Sequence, residues 1–166
     1  IEGISLQKKL DNCKRLNIDK AIDYSLQLCE VLIYLHNMKP RAIIHKDIKP
    51  SNIIITEYEK LVLIDFGISE ELGGINSGLN AGTNAYASPE QLVDPIGSDT
   101  RSDIYSLSIL IHQMLTGQLP GNADSNCASK NPGINRKLLE ICAKGSAFLP
   151  EERYQRIEDM LYLQLQ

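Results

Sequence analysis

Between Ser102 and Leu115 the sequence is apolar on nearly every side of a would-be helix: Ile104, Leu107, Ile109, Leu110, Ile111, Met114 and Leu115 leave no face for water. Gly117 supplies the residue at which such a helix can turn left-handed and stop. A helix of this kind is stable only inside a shell of other elements, so the chain must fold around it. With 166 residues there is enough sequence to build that shell as one domain. No apolar run approaches the roughly 18 residues of a membrane span, so the helix belongs to a core and no membrane contact is expected.

The rest of the chain supplies the shell. From Ile18 to Met38 apolar residues recur at helical spacing, with Asp19 as the expected N-cap and Lys39-Pro40 as the stop. Two aliphatic runs, Ile53 to Ile55 and Leu61 to Ile64, flank Glu57 to Lys60 and predict a small hairpin. Ser69 to Ser88 is rich in Gly, Asn and Ser and predicts a long irregular loop, a kind usually retained for function. Beyond the central helix, Gly121 to Gly133 is a polar connector, and Asn135 to Ala143 and Glu151 to Leu165 predict two more helices. No repeat or linker divides the chain, so residues 1–166 are taken as one unit, mainly α. The net charge of −4 carries no basic footprint for nucleic acid. Four cysteines, Cys13, Cys29, Cys127 and Cys142, form no Cys-x-x-Cys pair and suit core thiols in a reducing, cytoplasmic setting.

The chemistry concentrates in His45-Lys46-Asp47-Ile48-Lys49-Pro50-Ser51-Asn52. Pro50 keeps Lys49 out of the helical region, so this is a rigid loop presenting an acid, a cation and an amide together. A carboxylate beside a lysine suits proton abstraction next to a developing negative charge. Asn52 and, across the hairpin, Asp65 offer oxygen ligands for a hard cation such as Mg²⁺. Taken singly, each residue reads equally well as a solvated loop charge or a turn cap; the combination is what points to a site.

That string resembles the protein-kinase catalytic loop, with Asp and Asn at the family's spacing. Asp65-Phe66-Gly67 resembles the Asp-Phe-Gly motif, and Ser88-Pro89-Glu90 resembles Ala-Pro-Glu. The order and separations are compatible, and the likeness extends over the whole chain. Ile18 to Met38 resembles the long helix before the catalytic loop, Ser102 to Pro120 the central buried helix and its turn, and Phe148 to Tyr154 the segment before the last helix. Lys49 with Gly82-Thr83 follows the serine/threonine pattern, and Tyr86 to Gln91 has a bacterial flavour. The resemblance is thus to the C-terminal lobe of a eukaryotic-like (Hanks-type) serine/threonine kinase of bacterial type. The implied fold is helical, with a small β-hairpin bearing the catalytic and Asp-Phe-Gly loops.

The resemblance implies roles. Asp47 would accept or orient the substrate hydroxyl proton, Lys49 would steady the γ-phosphoryl charge, and Thr83 would contact both from the substrate-reading loop. Asn52 and Asp65 would hold Mg²⁺, and Ser51 and Ile54 would line the ATP site, Ile54 as an apolar floor under adenine. Glu90 and Arg153 would form a buried ion pair, Asp103 would receive catalytic-loop amides, and His45 would be an orienting core histidine; His36 and His112 are left to packing or the surface. Lys46 stands where the family usually has Arg and cannot give a bidentate clamp, which puts control by loop phosphorylation in doubt.

Neither a glycine-rich nucleotide loop nor its strand lysine occurs, and the start at Ile1-Glu2-Gly3 lacks Met or a signal pattern. The chain is therefore expected to be cut from a longer kinase, lacking the N-terminal lobe, inactive alone and prone to self-association through the face that lobe would cover. The expected activity of the parent is ATP- and Mg²⁺-dependent transfer to Ser/Thr hydroxyls of protein substrates. The alternative is a pseudokinase-like or truncated interaction scaffold; a small-molecule kinase of the aminoglycoside type fits Lys49 and Ser88-Pro89-Glu90 less well.

Overall fold

The computed structural model of the chain describes residues 2–65, 85–94, 97–121 and 134–162. The elements run β1 (Ile4–Ser5), α1 (Leu6–Cys13), α2 (Ile18–His36), β2 (Ile53–Ile55), β3 (Leu61–Leu63), α3 (Pro89–Val93), α4 (Thr100–Thr116), α5 (Arg136–Gly145) and α6 (Ile157–Tyr162). Short 3-10 turns occupy Pro50–Asn52 and Pro150–Glu152.

Helix α4 is the predicted central helix. Ile104, Leu107 and Leu110 are fully buried, and the helix ends where Gly117 adopts a φ of 77°. Its buried hydroxyls are satisfied within the helix, by α3 or by the loop before it: Ser108 Oγ donates to the Ile104 carbonyl at 2.7 Å, Ser102 Oγ to Glu90 Oε1 at 2.8 Å, and Ser106 Oγ to the Tyr86 carbonyl at 2.8 Å. Helices α2 and α5 pack against α4, and α6 packs against α2. The α4–α5 contact is close because α5 presents Gly145 to Ser108, where a β-carbon would collide with the serine hydroxyl.

Two helix boundaries differ from the sequence reading. Asn17, not Asp19, caps α2: its backbone is extended and its Oδ1 accepts from the Lys20 amide at 2.8 Å. Asp19 falls in the first turn, where its charge meets the positive end of the helix. The single helix predicted over Glu151–Leu165 is interrupted. Arg153 is extended (ψ 178°), and it and Tyr154 are buried, so the helix starts again only at Ile157.

The hairpin belongs to a three-stranded antiparallel sheet in the order β1-β2-β3. Strand β1, which sequence periodicity did not reveal, sets Ile4 opposite Ile55 and Ser5 opposite Ile54. Its approach depends on Gly3, where a β-carbon would run into the Ile55 carbonyl. Ile53, Ile55, Leu61 and Leu63 face the core, leaving paired Ile54 and Val62 on the outer face. The hairpin turn is tied to the helices through Glu59, which accepts from the buried Tyr24 hydroxyl and pairs with Lys20 at 3.2 Å and Lys9 at 3.6 Å. Burial and then Glu59 hold the Tyr24 hydroxyl far above its ordinary pKa.

Of the cysteines, Cys29 and Cys142 are core thiols whose pKa burial pushes up to about 12. Cys13 corrects the expectation: it is exposed, at the last turn of α1. Cys127 lies outside the described residues. Among those described, no helix is long and apolar enough to cross a membrane.

Candidate active site

The loop from His45 to Asn52 runs between α2 and β2 and has little regular structure of its own, so its shape is imposed from outside. The agent is Asp103, fully buried in the first turn of α4. Its Oδ2 accepts from the His45 amide at 2.9 Å and its Oδ1 from the Lys46 amide at 2.8 Å. Lys46 can then take a φ of 64°, a conformation that ordinarily costs a non-glycine residue and that the two charge-assisted bonds offset. This is the architectural role expected of Asp103.

A third partner of Asp103 was not expected. His36, at the end of α2, places Nε2 2.9 Å from Asp103 Oδ2, with its side chain 8% exposed. The sequence reading left this histidine to packing or the surface; here it closes the ring joining α2, α4 and the catalytic loop. His112 fits that reading, with Nδ1 3.0 Å from the Gln118 carbonyl.

His45 is fully buried and its tautomer follows from its neighbours. Nδ1 accepts from the Asp47 amide at 3.3 Å, so Nε2 carries the proton and donates to the Ile64 carbonyl at 3.1 Å. Burial lowers its pKa, and the opposing pull of Asp103, Ile64, Asp47 and Asp65 does not restore it. A neutral histidine thus links the catalytic loop to the strand end that carries Asp65.

The structure brings three of the candidate residues, Asp47, Lys49 and Asn52, into contact. Lys49 Nζ sits 2.8 Å from Asp47 Oδ2, and Asn52 Nδ2 donates to the same oxygen at 2.7 Å and to the Asp47 carbonyl at 2.9 Å. The Asn52 side-chain nitrogen is therefore spent on Asp47, which leaves Oδ1 as its ligating atom; among the described residues only Ser51 Oγ approaches it, at 3.4 Å. The Ile64 amide donates to the Asn52 carbonyl at 2.9 Å, holding the start of the Asp65 segment against the catalytic loop. Asp65 is exposed with a φ of 55°. One amide oxygen and one exposed carboxylate form a donor set that suits Mg²⁺, which retains waters and phosphate oxygens. Ile54 lies half-buried on the outer sheet face. Thr83, Phe66, Gly67, Ser69 and Ser77 lie outside the described residues.

Support comes from the far side as well. Glu90 and Arg153 form the expected pair, bidentate at 2.6 and 2.7 Å, with the arginine side chain completely buried. Gln91 donates to the Lys46 carbonyl at 2.9 Å while its Oε1 accepts from the Ser88 amide at 3.1 Å, so α3 is tied to the catalytic loop. The sequence reading did not single out Gln91; the Ser88-x-x-Gln91 capping-box spacing was its visible signal.

Comparison with known proteins agrees with this geometry. The profile of the family described as "Protein kinase domain" matches residues 1–162. A Clostridium acetobutylicum protein named as a probable serine/threonine-protein kinase is 35% identical over 97% of this chain and 26% of its own length. Serine/threonine-protein kinase PknB of Mycobacterium tuberculosis is 28% identical over 96% of the chain and 28% of its own length. The chain thus spans about a quarter of the curated relatives it matches. In fold, the crystal structure of a double mutant of the Mycobacterium tuberculosis PknI kinase domain superimposes with a TM-score of 0.74 at 20% identity, covering 99% of this chain and 62% of that one. A match that runs almost end to end, over a loop hydrogen-bonded into one site, means that this chain belongs to the protein kinase domain family.

Proposed function

We propose that this chain carries the catalytic loop of a serine/threonine protein kinase that uses ATP and Mg²⁺ on protein hydroxyls. The supporting observation is the shared oxygen: Asp47 Oδ2 is held by both Lys49 and Asn52, so the carboxylate is fixed in place where a hydroxyl nucleophile would approach. In this reading Asp47 orients the hydroxyl and takes its proton, and Lys49 steadies charge on the transferring phosphoryl group. Thr83 would contact both from the substrate side, and Ser51 and Ile54 would line the nucleotide site. Asn52 Oδ1 and the Asp65 carboxylate would hold Mg²⁺, which when bound neutralises phosphate charge. Positioning is nearly all of this catalysis. Residues 1–166 alone are accordingly proposed to bind ATP poorly and to transfer no phosphate.

The test is Asp47→Asn in a longer protein that carries these residues with a nucleotide-binding lobe. Phosphotransfer should fall by about 10² or more while Mg²⁺-dependent ATP affinity is nearly unchanged. Asp65→Asn should weaken that affinity itself. Turnover indifferent to Asp47→Asn would remove the catalytic assignment and favour a non-catalytic scaffold.

A further inference from the structure

Away from the catalytic loop, the described residues leave one conspicuous apolar recess. It has a volume of about 280 Å³ and lies between α3 and the segment before α6, lined by Pro89, Val93, Asp94, Phe148, Leu149 and Pro150, with Glu90 at its base. Its apolar walls are open to solvent: Val93 is 87% and Phe148 72% exposed.

The reason lies beneath the groove. Arg153 holds both walls at once, binding Glu90 of α3 through both carboxylate oxygens and donating to the carbonyls of Ala147 at 2.8 Å and Phe148 at 2.9 Å. With that guanidinium buried and fully engaged, the walls stand at a fixed separation. The groove is built open, and a ligand entering it bears little reorganisation cost.

The rim gives the ligand's chemistry. Asp94 lines one wall and is exposed, its Oδ1 accepting from the Gly97 amide at 3.1 Å, and Pro150 on the other wall is followed by exposed Glu151 and Glu152. Arg101, whose carbonyl also meets Arg153, has its own guanidinium taken up by Asp99 at 2.7 Å. An apolar groove with acidic residues on or next to both walls suits a bulky aliphatic or aromatic anchor flanked by Lys or Arg. A second copy of this chain, net charge −4, suits it less well.

We propose that this groove docks a protein segment carrying an apolar anchor between basic residues, at a site separate from the phosphoryl-transfer centre. The proposal concerns binding and stands whether or not the chain catalyses transfer. A fluorescein-labelled peptide Ala-Lys-Arg-Ala-Leu-Phe-Ala-Arg-Lys-Ala, titrated with the full chain and followed by anisotropy, should bind with a Kd on the order of 10 to 100 μM at low salt and more weakly as salt rises. Phe148→Ser and the pair Glu151→Lys with Glu152→Lys should each weaken binding about tenfold. These side chains are exposed, so unchanged circular dichroism is expected of both variants. Replacing Leu-Phe by Ala-Ala in the peptide should abolish binding. The proposal is overturned if nothing saturable is seen to about 1 mM, if the Ala-Ala peptide binds equally, or if the variants bind as wild type does. It also fails if sedimentation shows a dimer that Phe148→Ser dissolves, which would make a second copy the occupant.

Discussion

Arg153 shows how much can rest on one side chain. Its guanidinium is buried, and it joins α3 to the turn before α6 through Glu90 and two carbonyls. Glu90 responds in kind. Burial would raise its pKa, but the bonds from Arg153, its own amide, Ser102 and Ser88 outweigh that and hold it at about 2. Removing one partner strands the other, so Arg153→Leu or Glu90→Gln is expected to cost about 3 to 5 kcal/mol in chemical denaturation. A double-mutant cycle should recover a large coupling; additive effects would mean the two residues act independently. This pair was legible in the sequence only through the family resemblance, because nothing in local pattern links residues 63 apart. His36 was not legible at all. Its role comes from a carboxylate 67 residues away, and as a lone histidine near a helix end it carries no sequence mark of that contact.

At the scale of elements, the most readable feature was α4, since a helix without a polar face has one destination. Amphipathic α2 was read from its spacing, although its cap went to Asn17 because capping is decided by which side chain reaches a free amide. Strand β1 escaped because two residues show no alternation, and the break before α6 escaped because it serves Arg153 rather than any local preference. The α4–α5 crossing depends on an absence of atoms. Gly145→Ala would force a methyl group onto Ser108, whose hydroxyl is already committed to the Ile104 carbonyl. The expected loss is about 1 to 3 kcal/mol, read from the shift of the thermal or urea midpoint, even though alanine is the better helix former. A stabilised variant would show that the two helices have room to separate.

For the molecule as a whole, acid should act in two stages. His45 is held below its ordinary value of 6.5, chiefly by burial, so the unfolded chain takes up a proton that the folded chain refuses. That contribution to stability is complete above pH 6.5 and is lost as the pH falls below it. Glu90, held at about 2 against an ordinary 4.5, adds a second loss between those values. Melting temperatures measured across this range should fall in both windows. Nitrogen NMR of the His45 ring should show the Nε2-protonated neutral form persisting below pH 6.5; a ring that titrates normally there would refute the burial argument. The catalytic loop, finally, has a history as well as a shape. The amides of His45 and Lys46 find their acceptor 58 and 57 residues downstream on α4. Closing so long an interval carries an entropic cost that the loop cannot recover by itself, so its shape is set late in the order of assembly. Hydrogen exchange should report this directly, with the amides of His45 and Lys46 opening only in the same event that unravels α4.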